Sequence, residues 1–371
     1  MIKQTVFVSL LAASLLVPAP ASAAVEAHAK LAFAGGEELT IPALLKDGRV
    51  FVATNLWESA GLRTSWQGME QRLAYGGWNK QLAIRVGSRM GVLDGKLVDL
   101  GAVPFAMDNR VYVPLRFVAL SLGGIVTNWD AKNRVASASQ LHSFASASAM
   151  FEKTVYTVDK STGRLYAGTG ASIRKIADLG SPLQGRVSYE FATTLGGLRM
   201  ISITDVYGEP GVNNAHYTVI LKNGSLIRQA SVTYRSRSAA NAVVGGNKLA
   251  LTDGRTLRLI EDRTGKVTAV YNLVQLGGEE DRFLLEGIGE NYLLIRPNGK
   301  GLLTFIDLQT GSRTLLYKEL LDAKNREYVE TNDVPYRGDH LEYVGREGSQ
   351  LLFRNKAPLA EDTKVYRFDL P

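Results

Sequence analysis

Four polar residues near position 340 have side chains that could carry out acid and base chemistry. They are Asp333, Asp339, His340 and Glu342. Two carboxyl groups in one pocket can act as proton donor and as base or nucleophile when a glycosidic bond is cleaved. Carboxylates are common in loops, however, and we favour an ordinary loop here. The sequence therefore assigns no catalytic residue.

An acidic run, Glu279-Glu280-Asp281, could contribute ligands to a Ca²⁺ ion. The Asp-x-Asp-x-Asp-Gly spacing of a calcium loop is absent from the sequence, so a solvated loop is again favoured. The sequence also lacks a Gly-Lys-Ser/Thr phosphate loop, a Gly-x-Ser-x-Gly nucleophile elbow and a His-Glu-x-x-His helix. We therefore predict no metal site, no cofactor and no enzymatic activity.

The tryptophans are candidates for stacking on sugar rings. They are Trp57, Trp66, Trp78 and Trp129. Trp66 and Trp129 occupy equivalent positions in an internal repeat described below, which favours a role in the core. Trp78 therefore remains as the tryptophan to test for ligand binding, and other ligand-binding residues are unknown.

The first 23 residues are typical of a secretory signal peptide. Lys3 supplies a positive charge, the run from Thr5 to Val17 is largely apolar, and Pro18–Ala23 ends in a small-x-small pattern. We expect cleavage after Ala23. An uncleaved membrane anchor is the alternative, but a membrane span needs about 20 apolar residues, and this run is shorter and ends in prolines. The protein is therefore predicted to be secreted or on the cell surface, without a stable transmembrane segment after cleavage.

The composition indicates a globular protein of two domains. The chain has 371 residues, of which 45% are hydrophobic and 21% charged, and it contains no Cys. These values exclude a disordered, collagenous or coiled-coil protein, and they exclude disulfides. At about 100–200 residues per domain, the length allows two units. The formal net charge of +7 is spread without a basic run, so no nucleic-acid partner is expected.

A Ser/Ala-rich tract separates the two predicted units. It comprises Ala136–Gln140 and Ser143–Ala149, between segments rich in Val, Leu, Ile and Tyr. We interpret residues 140–149 as the linker; the start of the tract could complete a strand, and its end could begin a short helix. The predicted domains are residues 24–139 and residues 150–371.

The N-terminal domain contains an internal duplication. Asp47–Ala53 recurs 61 positions later as Asp108–Pro114, and each copy continues through a short helical segment to a glycine and a tryptophan. In the second copy, polar and apolar residues alternate as in a strand, and apolar residues then follow at helical spacing. The latter are Leu115, Val118, Ala119 and Leu122, and Gly123 or Gly124 supplies the positive φ that ends a helix. The predicted unit is strand, helix, strand.

The second copy carries a longer motif, which consists of Arg110–Ala119, Leu122-Gly123-Gly124 and Asn128-Trp129-Asp130. This motif resembles the copper amine oxidase N-terminal-like domain, or stalk domain, of secreted Gram-positive bacterial proteins. The resemblance covers about residues 37–139, and the first copy departs from it at Ala53–Leu56. In that family the module stands outside the catalytic domain. The resemblance therefore implies an accessory, cell-surface α+β domain.

Copper oxidase chemistry itself is not expected. The resemblance to the oxidases would require three His ligands, two of them close together, and a tyrosine within Asn-Tyr-Asp/Glu that becomes the quinone. The sequence has only four histidines, His28, His142, His216 and His340, and no His-x-His. Its one Asn-Tyr pair, Asn291-Tyr292, is followed by Leu293. The set of copper ligands cannot be assembled from these residues.

The C-terminal segment repeats short apolar strands and turn pairs. A strand, an acidic residue and a Thr-Gly pair recur in Val155–Gly163, Leu257–Gly265 and Leu303–Gly311, and Val365–Asp369 begins the same pattern. In each hairpin, the acid is expected to accept from turn amides while Gly takes a positive φ. A period near 45 residues predicts an all-β domain, a β-propeller of about five blades. A β-sandwich or an incomplete propeller is the alternative.

These features predict an exported, non-catalytic protein of the cell envelope. Its stalk-type module would present the β-propeller-like domain, which binds a cell-wall polysaccharide or an envelope protein. The alternative is a secreted glycan-active enzyme, a hydrolase or lyase that uses carboxylates of the β domain. A purely structural spacer is a third possibility.

Overall fold

The computed structural model describes residues 24–34, 36–67, 72–169, 172–210, 212–237, 241–242, 244–245, 248–331, 338–357 and 363–371. The predicted signal peptide lies outside the described residues. The chain divides into two compact units, Met1–Phe144 and Ala145–Pro371. No helix within the described ranges is long and apolar enough to cross a membrane.

The N-terminal unit is built of two β-sheets and two short helices in its described part. Its elements are β1 (Val25–Phe33), β2 (Glu38–Lys46), β3 (Arg49–Ala53), α1 (Leu56–Ser59), β4 (Arg63–Gln67), β5 (Arg72–Gly77), β6 (Lys80–Arg85), β7 (Met90–Leu93), β8 (Lys96–Asp99), β9 (Phe105–Met107), β10 (Arg110–Pro114), α2 (Leu115–Ser121), β11 (Ile125–Asp130) and β12 (Val135–Leu141). One sheet has the order β11-β12-β1-β2-β3-β10-β9, and the other has the order β4 to β8. Strand β11 therefore lies at an edge.

The internal duplication folds as two strand–helix–strand units, as predicted. The first consists of β3, α1 and β4, and the second consists of β10, α2 and β11. Strands β3 and β10 are antiparallel neighbours, with Val52 opposite Val113. The two copies then diverge, because β4 begins the five-stranded sheet whereas β11 returns to the seven-stranded sheet.

Helix α2 has the apolar face that its sequence indicates. Leu115, Val118, Ala119 and Leu122 are all at most 2% exposed. Gly123 adopts a φ of +73° after the helix, which confirms that this glycine terminates it. Pro114 is the N-cap residue, with a φ of −58° and a ψ of 128°, and not the first helical residue.

Trp57 joins the two copies in the core of the N-terminal unit. Its side chain is 0% exposed, and its Nε1 donates a hydrogen bond of 2.8 Å to Oγ of Ser121 on α2. Ser121 in turn donates to the carbonyl oxygen of Val118 at 2.8 Å. The rings of Phe117 and Tyr75 lie 5.8 and 4.8 Å from the Trp57 ring. Trp57 is therefore a core residue and cannot stack on a sugar.

The C-terminal unit forms five successive antiparallel sheets within its described residues. They are β13–β16, β17–β20, β21–β24, β25–β28 and the three-stranded β29–β31. The strands are β13 (Ser146–Phe151), β14 (Thr154–Asp159), β15 (Arg164–Ala167), β16 (Arg174–Asp178), β17 (Arg186–Thr193), β18 (Arg199–Tyr207), β19 (Asn213–Lys222), β20 (Ser225–Arg235), β21 (Val244–Gly245), β22 (Lys248–Thr252), β23 (Thr256–Glu261), β24 (Val267–Asn272), β25 (Phe283–Ile288), β26 (Tyr292–Pro297), β27 (Thr304–Asp307), β28 (Arg313–Leu315), β29 (Leu341–Glu347), β30 (Gln350–Asn355) and β31 (Val365–Asp369).

This unit is mostly β, but it is not purely β as predicted. It also contains α3 (Leu273–Gly277), α4 (Leu316–Leu320) and α5 (Ala323–Thr331). Helix α3 begins after Asn272, whose side chain accepts a hydrogen bond from the Gln275 amide at 3.1 Å, and it ends at Gly278, with a φ of +74°. These are ordinary helix-capping signals, which the interpretation as short strands and turns overlooked.

The Ser/Ala-rich tract is mostly strand, which corrects the predicted linker at residues 140–149. Strand β12 continues to Leu141 and β13 begins at Ser146, so four residues connect them and no short helix follows. Alternation of Ser and Ala explains the strand, because it places Ala136 and Ala138 on the inner face, where they are 2% and 1% exposed. Small side chains reduce the buried area of a strand without preventing its pairing.

The Thr-Gly hairpins have the predicted local chemistry. Asp159 accepts from the Ser161 amide at 3.0 Å, and Asp307 accepts from the Gln309 amide at 2.8 Å. Gly163, Gly265 and Gly311 all have a positive φ. Glu261 differs, because its longer side chain accepts from the Thr264 hydroxyl. The signature thus marks a hairpin and not a fixed place in a sheet: it follows the second strand of the first sheet but the third strand of the third and fourth sheets.

We predict that Ser121→Ala destabilises the N-terminal unit by about 1–3 kcal/mol, because the buried Trp57 Nε1 would lose its acceptor. All four tryptophans lie in this unit, so tryptophan fluorescence during urea unfolding reports on it selectively. Ser59→Ala, at an exposed position of α1, is the control and should change the free energy of unfolding by less than about 0.5 kcal/mol. Equal effects of the two substitutions would contradict a role for the Trp57–Ser121 bond.

Candidate functional site

Asp339, the central carboxylate among the acid–base candidates near position 340, is an internal ion-pair partner. It is 0% exposed, and its Oδ1 lies 2.6 Å from Nη1 of Arg296. Its oxygens also accept from the backbone amides of Leu303 at 2.6 Å and Leu341 at 3.1 Å. Because its carboxylate is buried and both of its oxygens are bound within the protein, Asp339 is not placed to contact a substrate.

Arg296 is the cation that compensates Asp339, and it is itself buried. It also pairs with Glu286, and it donates to the carbonyl oxygens of Gly301 at 2.6 Å and Leu341 at 2.5 Å. Burial opposes its charged form, but the carboxylates of Asp339 and Glu286 outweigh burial and raise the pKa of Arg296. The arrangement therefore has the features of a satisfied structural network.

The other described candidates near position 340, His340 and Glu342, do not form an acid–base pair with Asp339. Glu342 is exposed on β29, with one oxygen 3.8 Å from Nζ of Lys356. Burial lowers the pKa of His340, although nearby Asp339 acts in the opposite direction. Asp333 lies outside the described residues. Asp339 and Glu342 thus have different surroundings, one internal and one exposed.

The carboxylates of the acidic run at 279–281 each have a separate partner. Glu279 pairs with Lys300 at 2.7 Å, and Glu280 pairs with Arg255. Asp281 accepts from the Gly299 amide at 2.7 Å. Across the described ranges, no group of three or more His, Asp or Glu side chains is arranged to hold a metal ion.

A groove in the N-terminal unit is the strongest candidate for a binding site. Its volume is about 1040 Å³, and its lining includes Leu115, Leu120, Ile125, Val126, Trp129 and Ala136. Leu115 and Ala136 are buried, whereas Leu120 and Ile125 are each 54% exposed. Trp129 is 38% exposed, so the prediction of a core role for it is wrong. An exposed apolar cluster beside a cavity is a common mark of a binding surface.

A β-bulge in β11 brings Trp129 to this groove. Val126 pairs with Ala138 and Trp129 pairs with Ala136, and the register shifts between Val126 and Asn128. Paired residues point to the same face of a sheet, so the bulge places both Val126 and Trp129 on the face of the buried alanines. Without it, strict alternation would send these two side chains to opposite faces.

Gly124 permits the close approach of β11 to its neighbour. A Cβ atom at this position would lie 2.5 Å from the carbonyl oxygen of Ser139. Any larger residue would therefore displace the beginning of β11 and, with it, the wall of the groove.

Charged side chains surround the groove. They are Arg49, Arg89, Arg116 and Asp99. Arg89 binds Asp99 through two parallel contacts of 2.9 and 3.0 Å, and this hydrogen bonding lowers the pKa of the Asp99 carboxyl. Arg116 is exposed and has no hydrogen bond or ion pair with any described residue. The groove thus combines an apolar wall with an excess of positive charge.

Most of this site was not predicted from the sequence. Trp78, the tryptophan favoured for ligand binding, is half-buried in the turn after β5 and does not line the groove. Apolar and polar residues do not alternate in the sequence of Ile125–Trp129, and in the structure each of these residues is exposed. An interior strand of a half-buried sheet would alternate.

The chain has remote similarity to several solved structures. The dihydro-heme d1 dehydrogenase NirN in complex with DHE has a TM-score of 0.26 and 10% identity, over 72% of this chain and 63% of that chain. Apo AztD from Citrobacter koseri has a TM-score of 0.21 and 9% identity, over 74% and 90%. Hsv2 of Kluyveromyces lactis has a TM-score of 0.19 and 9% identity, over 84% and 99%. TM-scores this low do not establish a common fold or function.

Comparison with protein families is informative for the N-terminal unit. No curated protein sequence matches the chain. Residues 33–138, however, match the family model of the copper amine oxidase N-terminal domain, which confirms the prediction made from the motif in the second copy. Residues 33–138 are therefore similar to a copper amine oxidase N-terminal domain, and the match is confined to these residues.

Proposed function

We propose that this protein is an exported, non-catalytic binding protein of the cell envelope. In this proposal the stalk-type N-terminal domain presents the C-terminal β unit, and the protein binds an envelope protein or a cell-wall polysaccharide. The sequence features that support export are the apolar run and small-x-small pattern before Ala23.

One observation carries the proposal: the groove has the chemistry of a binding surface and not of a catalytic one. Trp129 and Leu120 expose apolar area next to it. Asp99 is the only carboxylate among the described residues that line it, and Asp99 is bound to Arg89. Tryptophan and arginine are enriched in the energetically important parts of binding interfaces, whereas acid–base chemistry needs a titratable group that faces the substrate.

We further propose that the C-terminal unit is a β-propeller of five blades. Its five sheets follow one another along the chain. First strands contact first strands, as β13 contacts β17 and β21 contacts β25, and the last strands β16 and β20 are also in contact. This pattern is expected of sheets arranged radially. Each sheet consists of consecutive strands, so the ring would close without exchanging a strand between its first and last sheets.

Co-sedimentation with isolated Gram-positive envelopes tests the proposed function. We expect saturable retention of the protein without release of soluble sugar, and Trp129→Ala should weaken retention at least about tenfold. Extraction of proteins from the envelopes with detergent distinguishes a protein ligand from a polysaccharide. Release of reducing sugar that is lost in a carboxylate-to-amide variant would instead establish the glycan-active enzyme.

We predict that Asp339→Asn destabilises the C-terminal unit by about 1–3 kcal/mol, because buried Arg296 would lose one of its two carboxylate partners and keep only Glu286. Far-UV circular dichroism during thermal unfolding measures the effect on the β unit. Glu342→Gln is the matched control, since its carboxylate is exposed and its loss should cost less than about 1 kcal/mol. If Asp339→Asn left stability unchanged but abolished a glycan-cleaving activity, Asp339 would be catalytic and the proposal would fail.

A further inference from the structure

Strand β11 has an open edge as well as an exposed apolar side. Among the described strands it is terminal in its sheet and pairs with β12. An edge strand presents unpaired backbone N–H and C=O groups, which can pair with a further strand. Soluble proteins commonly protect such edges with charged side chains, proline or bulges. In β11 the one charged residue, Asp130, lies at the end of the strand, and the bulge is confined to the segment between Val126 and Asn128.

The groove lies beside this edge and can receive side chains of an added strand. Val126 and Trp129 of β11 and Leu120 of α2 all line it. In strand addition, main-chain hydrogen bonds supply affinity, while pockets beside the edge select alternate side chains. A sugar polymer would instead need many polar partners, whereas Val126, Trp129 and Leu120 are apolar.

The charged residues around the groove favour a ligand that carries negative charge. Three arginines and one aspartate line it, which leaves an excess of two positive charges. Arg89 is engaged by Asp99, so Arg49 and Arg116 are the arginines that can pair with carboxylates of a ligand. Arginine binds carboxylates through two parallel hydrogen bonds, which favours an acidic ligand over a neutral or basic one.

From these observations we infer that the N-terminal domain binds an extended acidic peptide segment of a partner protein by strand addition to β11. Every second side chain of the segment faces the groove; among these, apolar side chains contact Trp129 and carboxylates pair with Arg49 and Arg116. The inference rests on the proposed binding function and names its partner class. It places that binding in the stalk-type domain and not in the C-terminal β unit.

The test uses the purified protein and two pools of synthetic decapeptides. In both pools every second residue is Thr, and the residues between are alternately apolar (Val, Leu or Phe) and charged; the charged residue is Asp or Glu in one pool and Lys in the other. The apolar and charged side chains thus lie on the same face of the extended peptide. We expect the protein to capture the acidic pool at least about tenfold more than the basic pool. Amide hydrogen exchange in residues 125–130 should slow when the acidic pool is present, because the open edge of β11 becomes paired.

Two groove variants and two matched controls test the location of the site. Trp129→Ala and Arg116→Glu should each reduce capture at least about tenfold. Leu97→Ala and Arg110→Glu replace exposed residues of the same domain outside the groove and should leave capture unchanged. Circular dichroism of each variant verifies folding, and Arg116→Glu keeps the test valid if Trp129→Ala fails to fold.

Several results would overturn the inference. They are equal capture of both pools, capture that survives both groove variants, and binding without slower exchange in β11. A dimer that dissociates in Trp129→Ala would show that a second copy covers the edge. Retention on envelopes with no peptide capture would refute this inference but leave the proposed function standing, whereas peptide capture without retention on envelopes would refute only the proposed function.

Discussion

The hydrogen bond between Trp57 and Ser121 is the contact on which the N-terminal domain depends. Both residues are 0% exposed, and the bond joins one copy of the duplicated unit to the other. The two copies differ at both partners, since by the offset of 61 residues Val118 corresponds to Trp57 and Ala60 corresponds to Ser121. One helix supplies the donor and a large ring, and the other supplies the acceptor. The two copies therefore make different contributions to their common core.

The same divergence leaves one copy free to form a surface. The strand after α1 begins its own sheet, whereas the strand after α2 becomes an edge of the larger sheet. The bulge between Val126 and Asn128 then turns Trp129 toward the groove. Since the core around Trp57 already holds the two copies together, Trp129 is not required to fill it. Trp129 is 38% exposed, so its ring is available to contact a ligand in the groove.

Local sequence rules predicted local structure well in this chain. The helical spacing from Leu115 to Leu122 and the hairpins ending at Gly163 and Gly311 follow from interactions within about ten residues, and the structure confirms them. The position of Trp129 could not be predicted in this way. It depends on a bulge, which requires knowledge of the partner strand, and repeat equivalence with Trp66 suggested the opposite role. The open edge of β11 likewise depends on the order of strands, which alternation within one strand does not reveal.

The buried charges of the C-terminal unit show why acidic clusters mislead when only the sequence is considered. Arg296 lies on β26 and pairs with Glu286 on β25, while Asp339 precedes β29 and binds the amide that leads into β27. The network thus ties the final, three-stranded sheet to the sheet before it. A buried pair of this kind contributes little net stability compared with apolar packing, but loss of one partner is costly, so it favours one arrangement of the sheets over others. Asp339 is a structural residue because it is buried and paired. The nearby carboxylates in the sequence do not reveal this.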